Sequence, residues 1–321
     1  MHLDKIIFKA KQLGAAIRAK AANSFDKIKV GYSLWCNMAC PAILYGCEAI
    51  KFDAHTYSQL EIAQNNMGRW LLGARRFCST AAIRRELGWK SMKSRIYEAK
   101  LKYWGKVCFT DEGRLTKLSI MDSIKSDWSS KWLDEINFIK REIDMQDMIN
   151  TKSYKDWHRR VENSIRKWED KNWDFSKKEM KTHMWYSTTN HKHPLPYING
   201  SREAALFFNT KAGSWVLKKQ LGQPTKCALC GDFDSEIHRI LHCTKLNQIR
   251  LSSGLSEVLN ELKSSNDSEI EILGAFTMGS KDECLNRGYM LSLIEDFIIS
   301  KGSLGSAGAN AVTNRSALAN T

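Results

Sequence analysis

Proline is scarce in this chain, and that scarcity constrains the fold more than any other feature of the sequence. Prolines stand only at positions 41, 194, 196 and 224 of 321 residues. Because proline removes a backbone donor and blocks helix interiors, the long proline-free stretches are free to form α-helix. Apolar residues recur in these stretches at three- and four-residue spacing, the period of one helical face. The pattern predicts a mainly α protein.

Five apolar stripes have this helical period, and each contains large side chains suited to a core. They comprise Ile6, Ile7, Ala10, Leu13 and Ile17; Leu60, Ala63, Met67, Trp70 and Leu71; Ile96, Ala99, Tyr103, Trp104 and Val107; Trp132, Ile136, Ile139 and Ile143; and Tyr154, Trp157, Val161, Ile165 and Trp168. A stripe of this kind normally faces the protein interior. We therefore expect its tryptophans to be structural, with base stacking by one of them as the alternative.

The second half of the chain contains a break followed by further helices. The segment "HKHPLPYING", residues 191–200, has two prolines and a terminal Asn-Gly, which indicate a linker or turn. Helical patterning resumes with Ser201 as the predicted N-cap, and later over 246–262 and 285–299. The final stretch, "GSLGSAGANAVTNRSALANT", is poor in large apolar residues, so a disordered tail is predicted.

The chain is strongly basic. Its 49 Lys and Arg exceed its 35 Asp and Glu, which gives a formal charge of +14 and a pI near 9.3. Such a balance favours an anionic partner, most simply RNA or DNA, over an acidic membrane surface. We find no run of 18 apolar residues and no apolar core of a signal peptide. The expectation is an intracellular protein, nuclear or cytoplasmic, with no membrane contact.

Cysteine and histidine are concentrated in "CALCGDFDSEIHRILHC", residues 227–243. The predicted metal ligands, in the order C-x2-C-x7-H-x4-C, are Cys227, Cys230, His238 and Cys243. Three thiolates and one imidazole form a closed tetrahedral set that suits structural zinc, and Gly231 stands where a knuckle needs positive φ. On a helix capped by Ser235, His242 would share a face with His238, so it is a rival ligand. Buried cysteines without a metal are the alternative to a zinc site.

Basic residues cluster near two parts of the sequence. The predicted nucleic-acid contacts are Arg69, Arg75, Arg76, Arg84 and Arg85 in the N-terminal third, and Lys218, Lys219 and Arg239 around the cysteine cluster. Such charges bind phosphates and release counterions, which gives affinity without sequence readout. Each group is equally compatible with a solvated helix face. Asp232, Asp234 and Glu236 oppose a nucleic-acid contact at the cysteine cluster, where a purely structural role is the alternative.

Three segments, taken in order along the chain, carry a further signal. They are "PAILYGCEAI" from Pro41, "LEIAQNNMGRWLLG" from Leu60, and the cysteine cluster with "AALFFNTKAGSWVLKKQL" before it. Together they resemble the thumb region and the zinc-binding segment of reverse transcriptases from non-LTR (LINE-type) retrotransposons. The second segment carries the likeness through Leu60, Glu61, Gln64, Asn65, Arg69, Leu72 and Gly73.

The resemblance, the break at 191–200 and the composition of the final stretch together predict a division of the mainly α chain. It consists of a thumb-like helical region over 1–110, a helical connector over 111–190, a C-terminal helical domain with the zinc site over 201–300, and a disordered tail over 301–321. The family's polymerase needs an aromatic-x-Asp-Asp turn, and this chain contains no Asp-Asp pair. We therefore expect a nucleic-acid-binding fragment without catalysis of its own. The family's fingers and palm would lie before Met1, as a partner from the same element.

Two other functions are compatible with the sequence. Some relatives carry a nuclease after the zinc segment, where this chain has Glu269 and Glu271 but no convincing Pro-Asp and Asp-x-Lys pair. A degenerate metal-dependent nuclease is therefore one alternative. A domesticated helical scaffold that binds only protein is the other, and salt-dependent binding of RNA or DNA would distinguish it.

Overall fold

The computed structural model describes residues 2–24, 26–125, 131–145, 151–179, 198–216, 226–266 and 268–302. Within these ranges the protein is mainly helical, as predicted, and its only β pairing is an isolated antiparallel bridge between Lys226 and Phe233. Two compact units are present, and among the described residues the first ends at Gly200 and the second begins at Ser201. None of the described helices combines the length and apolar character needed to cross a membrane.

Nine α-helices form the described part of the N-terminal unit. They are α1 (His2–Ala22), α2 (Lys27–Leu34), α3 (Cys40–Leu44), α4 (Ala54–Leu72), α5 (Thr80–Leu87), α6 (Met92–Cys108), α7 (Leu115–Lys125), α8 (Lys131–Glu142) and α9 (Tyr154–Glu179). A π turn over Trp35–Ala39 joins α2 to α3, and a 3₁₀ turn over Cys47–Ala49 follows α3. Helices α4, α5 and α6 are preceded by the N-cap residues Asp53, Ser79 and Ser91, whose side chains accept hydrogen bonds from first-turn N–H groups. Such caps satisfy donors that have no partner within the helix.

The apolar stripes found in the sequence face the cores of this unit. Helix α1 packs against α4, and α6 packs against α8 and α9. Trp157 of α9 is fully buried, and its indole N–H donates to the carbonyl of Leu101 at 2.7 Å. The prediction of structural tryptophans is confirmed for Trp157 and for Trp104, which is 9% exposed. Tyr154, in the first turn of α9, is the most exposed stripe residue at 38%.

A buried ion pair lies in the N-terminal unit, and nothing in the sequence pattern predicts it. Lys100 of α6 is completely buried, and its Nζ lies 2.9 Å from Oε2 of Glu135 on α8. The same ammonium donates to the carbonyl of Ile50. Tyr57 of α4 donates from its hydroxyl to Glu135 Oε1 at 3.3 Å, and burial together with that carboxylate raises the pKa of Tyr57. The network therefore connects α4, α6 and α8 through charged side chains.

Five α-helices lie in the described part of the C-terminal unit. They are α10 (Arg202–Lys211), α11 (Asn247–Ser252), α12 (Leu255–Ser264), α13 (Glu269–Phe276) and α14 (Lys281–Gly302). Ser201 caps α10, as predicted, by accepting from the N–H of Ala204 at 3.1 Å. Helix α10 packs along α14, and Arg202 pairs with Asp296 of α14 at 2.6 Å. The first and last described helices of the unit are thus in contact.

The helix predictions for this unit have two outcomes. The helix predicted over 285–299 lies within α14 and is confirmed. The helix predicted over 246–262 is wrong as a single element, because α11 ends at Ser252 and α12 begins at Leu255. Gly254 has a φ of 77°, in the left-handed region that interrupts a helix.

Residues 191–197 of the predicted linker and 303–321 of the predicted tail lie outside the described residues.

Candidate metal centre and nucleic-acid interface

The first two cysteines of the cluster lie on a tight knuckle. The N–H of Gly231 donates to the carbonyl of Cys227 at 2.9 Å, and the N–H of Cys227 donates to the carbonyl of Asp232 at 2.7 Å. Gly231 has the predicted positive φ, 84°, which a side chain would make strained. The knuckle brings the sulfur atoms of Cys227 and Cys230 within 4.8 Å of each other.

The other two candidate ligands belong to a π turn over His238–His242 and to the residue that follows it. Ser235 caps this segment, as predicted, by accepting from the N–H of His238 at 3.0 Å. The N–H of Cys243 donates to the carbonyl of His238 at 2.7 Å. This bond spans five residues, so the turn is one residue wider than an α-helical turn. The wider turn places Cys243, rather than His242, next to His238.

The four candidate ligand atoms converge on one point. The Sγ atom of Cys243 is 3.9 Å from that of Cys227 and 3.8 Å from that of Cys230. His238 Nε2 lies 3.2 Å from Cys230 Sγ, and all four atoms are within 4.8 Å of one another. A tetrahedral site with metal–sulfur bonds of about 2.3 Å has sulfur–sulfur edges of about 3.8 Å. The cluster could therefore hold one metal ion.

The thiols of Cys230 and Cys243 are not activated by their surroundings. Burial raises the pKa of Cys230 to about 12, and burial and the nearby Cys227 sulfur raise the pKa of Cys243. A metal cation favours the thiolate instead, so binding would release protons from these groups. The chemistry of the donor set therefore suits a thiolate-bound ion better than a reactive cysteine.

His242 has a different partner from His238. Its Nε2 lies 2.7 Å from Oε1 of Glu269 on α13, and the two side chains are 50% and 51% exposed. His238, in contrast, is buried with its ring nitrogen beside the thiols. Of the two rival histidines, only His238 is brought to the cysteine cluster.

Two acids inside the cysteine loop have structural partners. Asp234 is 6% exposed and forms a two-point ion pair with Arg239, at 2.9 Å to Nε and 2.7 Å to the terminal nitrogen. The Arg239 guanidinium also lies over the Trp215 ring, 5.2 Å from its centroid. Glu236, 4% exposed, accepts from the N–H of Val216 at 3.1 Å. These acids therefore hold the loop to the segment after α10, and Arg239 is engaged in the same contacts.

Arg250 of α11 supports the end of the π turn. It is 5% exposed and donates to the carbonyl of Cys243 at 2.6 Å and to that of Arg239 at 3.2 Å. Carbonyls at the end of a helical turn lack a partner within the helix, and the guanidinium supplies one. It also places a positive charge beside a site where three thiolates, if a divalent ion bound there, would exceed the charge of that ion.

The cysteine cluster is part of the main core of the C-terminal unit. Cys227 and Cys243 lie in one apolar cluster with Trp215, Leu273 and Phe276. The cysteine segment is therefore not a separate small module, because residues of helices distant in sequence pack over it. The helices that cover the segment lie outside residues 227–243, so the sequence of the segment alone does not predict them. A metal ion here would connect elements throughout the unit.

The two arginines of α5, Arg84 and Arg85, contribute to helix packing. Arg84 lies 3.5 Å from Glu61 of α4, and Arg85 lies 3.6 Å from Asp170 of α9. The Arg85 guanidinium also faces the Trp173 ring at 5.5 Å. Arg84, Arg85, Asp170 and Trp173 line a cleft of about 910 Å³, and Glu61 lies outside its lining. The charges of Arg84 and Arg85 are therefore partly neutralised by neighbouring helices.

The other residues predicted to contact nucleic acid differ in their exposure and in their structural roles. Arg69 donates to the carbonyl of Cys78 at 3.4 Å and so supports the loop between α4 and α5. In that loop Arg75 is half-buried and Arg76 is exposed. Lys218 and Lys219 lie outside the described residues. Arg76 is thus the predicted arginine best placed to reach a phosphate.

The acids considered for a nuclease have other partners. Glu269 pairs with His242, and Glu271 accepts from the N–H of Ser268 at 3.1 Å in the capping box of α13. Within the described ranges, the cysteine cluster is the group of three or more potential metal ligands that meets in space. Glu269 and Glu271 therefore act in the contacts that begin α13.

Sequence reasoning misses the supporting residues of the metal centre. Arg250 stands in an ordinary basic context, and the sequence presents Asp234 and Glu236 only as charges opposing nucleic acid. The only sequence signal for them is that Asp234 and Arg239 are five residues apart, but the sequence does not show that both are buried.

No protein-family profile matches this chain, and searches of curated proteins and solved structures found none similar to it.

Proposed function

We propose that Cys227, Cys230, His238 and Cys243 bind a structural zinc ion. The observation that carries the proposal is the convergence of three sulfur atoms and one imidazole nitrogen within 4.8 Å. Thiolate and imidazole ligands in a tetrahedral arrangement are typical of zinc, and four protein ligands leave no open position for substrate. The ion would stabilise the C-terminal unit and take no part in a reaction.

The two histidines provide a test of the ligand set. Replacing His238 by alanine should weaken zinc binding more than about 100-fold, because even changes in residues that only support a ligand cost about 10- to 100-fold. His242→Ala is the matched control, since His242 lies four residues away and contacts Glu269 instead. Competition with a chromophoric chelator measures both affinities. A larger loss in His242→Ala than in His238→Ala would reverse the assignment.

We propose further that the chain binds RNA or DNA, as a segment of the kind found in the C-terminal portion of non-LTR retrotransposon reverse transcriptases. The motif that carries the resemblance has defined structural roles in this chain. Glu61 accepts from the N–H of Lys93 at 3.1 Å, and Gln64 donates to the carbonyl of Lys90 at 3.0 Å. Gly73 ends α4 with a φ of 59°. The polar residues of the motif thus serve to join α4 to the start of α6.

The observation that carries nucleic-acid binding is the distribution of charge. Residues 5–25 contain five basic and no acidic residues, and so do residues 62–85. On α1 the exposed cations are Lys5, Lys9, Lys11 and Lys20, and in the second segment Arg76 is exposed. Cations without interspersed acids attract phosphates and release their counterions. The thumb-like region would grip a template or duplex through its phosphates.

The charge on α1 gives a direct test. Replacing Lys5, Lys11 and Lys20 by glutamine should weaken binding of RNA and DNA and flatten its salt dependence. The log–log slope should fall by up to about 0.9 for each phosphate that is no longer neutralised. The three side chains are exposed, so folding should be unchanged. Fluorescence anisotropy over a range of salt concentrations measures the slope.

A variant with the same change of charge serves as the control. Lys263, Lys281 and Lys301 are exposed in the C-terminal unit, and their replacement by glutamine should leave the slope unchanged. If the unmodified chain shows no salt-dependent binding at low salt, nucleic-acid binding is wrong and the protein-binding scaffold is favoured.

A further inference from the structure

The loop between α4 and α5, residues 73–79, holds an aromatic side chain in solvent. Phe77 is 54% exposed, while the next residue, Cys78, is 2% exposed. The N–H of Cys78 donates to the carbonyl of Arg75 at 2.9 Å, and Arg69 reaches the carbonyl of Cys78 from α4. The loop is therefore tied to the helix before it, and the Phe77 ring is held outward by a fixed backbone.

Phe77 is one of several exposed aromatic residues of the unit, with Phe8, Tyr45, Phe138 and Phe175, and it contrasts with the aromatic residues of the core. Trp35 and Trp157 are completely buried, and Tyr97 is 2% exposed. Burial of a phenylalanine stabilises a protein, so an outward ring forgoes that contribution. A fixed, exposed ring is suited to contact with another molecule.

The charged residues near Phe77 in sequence favour an anionic partner. The ring follows directly on Arg76, which is exposed, and lies within the acid-free segment 62–85 with its five arginines. Phe175 is similarly exposed, at 60%, but it follows Asp174 on α9. Phe77 therefore combines an exposed aromatic face with a surrounding sequence that holds cations and no acids. Phe8 of α1, 61% exposed within residues 5–25, shares this setting, whereas Phe77 lies on a loop directly after an exposed arginine.

We propose that Phe77 stacks on an unpaired base of single-stranded RNA or DNA while Arg76 contacts the neighbouring phosphate. This inference deepens the proposed nucleic-acid binding and rests on it. A base within a duplex already stacks on both faces, whereas an unpaired base offers its π-face to an aromatic ring. The loop would therefore bind a single strand or an unpaired end, and the lysines of α1 would contribute phosphate contacts without this preference.

The test uses the full chain with a short labelled single-stranded RNA and the blunt duplex of the same sequence. Phe77→Ala should weaken binding of the single strand about tenfold, the effect typical of removing one stacking aromatic, and leave duplex binding unchanged. Phe77→Trp should retain or improve single-strand binding. Phe175→Ala, with similar exposure and the same atoms removed, should change neither.

An abasic substitution separates stacking from any indirect effect. In the unmodified protein, removing the contacted base from the RNA should cost about as much as Phe77→Ala, and in Phe77→Ala it should cost nothing further. Such non-additivity is the signature of a direct contact. Thermal unfolding of each variant checks that the fold is retained.

The outcomes distinguish the two proposals. If the unmodified chain binds single strands and Phe77→Ala binds them as well as Phe175→Ala does, the stacking role is wrong while nucleic-acid binding stands. If Phe77→Ala weakens single strand and duplex equally, the preference for unpaired bases is wrong. If the unmodified chain binds neither RNA nor DNA at low salt, both proposals fail together.

Discussion

Replacing Cys243 by serine is expected to unfold the C-terminal unit, and this is the largest effect that the structure predicts. Cys243 is completely buried, and its sulfur lies 3.8 and 3.9 Å from the two other thiols of the cluster. Structural zinc contributes on the order of 10 kcal/mol in small modules, which is comparable with the whole stability of a domain. Removal of one ligand would therefore take away most of the free energy that keeps the unit folded.

The measurement combines zinc content with hydrogen exchange. Cys243→Ser should lose its zinc, and exchange should become fast in α10, α13 and α14 while the N-terminal unit stays protected. Treatment of the unmodified protein with a chelator should give the same pattern. The chain forms two compact units, so selective unfolding of one is possible.

Cys284→Ser is the matched control for this experiment. Cys284 lies in the same unit, on α14, is 3% exposed, and is not a member of the metal cluster. Its replacement should leave zinc content unchanged and destabilise the unit only modestly, by about 1–2 kcal/mol, as is usual for a single buried substitution. If Cys243→Ser and Cys284→Ser destabilise the C-terminal unit equally, a structural metal is contradicted.

The second large effect is expected at Lys100 in the N-terminal unit. Lys100→Met should destabilise that unit by about 3–5 kcal/mol, because it leaves the Glu135 carboxylate buried without its cation. Both side chains of the pair are nearly inaccessible, at 0% and 7% exposure. Adding Glu135→Gln to Lys100→Met should recover most of the stability, since no uncompensated charge is then buried. Chemical denaturation monitored by circular dichroism measures the free energies of unfolding.

Lys102 gives a control on the same helix. It pairs with Glu98 at 2.7 Å and Glu162 at 2.9 Å, but its side chain is 22% exposed. Lys102→Met should therefore cost less than about 1 kcal/mol, the usual range for pairs that water can screen. Equal costs for Lys100→Met and Lys102→Met would show that burial does not govern the network around Glu135.

The cysteine segment illustrates which parts of the site follow from sequence. Ligand spacing, the positive φ of Gly231 and the Ser235 cap depend on local chain geometry, and the sequence predicts these features. It does not decide between His238 and His242, because an α-helical turn is the expected geometry and the chain forms a wider π turn. The partner of Glu236 comes from an element outside the loop, so sequence proximity cannot supply it.

Among the helices, too, the sequence predicts the local features but not the contacts between residues distant in sequence. Apolar period predicts α1, α4, α6, α8 and α9, since each stripe buries one face. The same signal runs across Gly254 and merges α11 with α12, because residues on both sides contribute to one core. The apolar period does not predict the burial of Lys100, because a lysine is normally expected at the surface. Its burial becomes understandable only when the structure shows Glu135 opposite it.

The contact between α10 and α14 bears on how the C-terminal unit is made during synthesis. The four cysteine and histidine ligands lie between these helices in sequence, so all of them leave the ribosome before α14 does. The knuckle and π turn are held by short-range hydrogen bonds, and bringing their ligands together closes only a short loop. Binding of the proposed zinc ion would therefore precede completion of the core. The supply of zinc to the nascent chain would then decide whether α14 finds a partly ordered partner when it emerges.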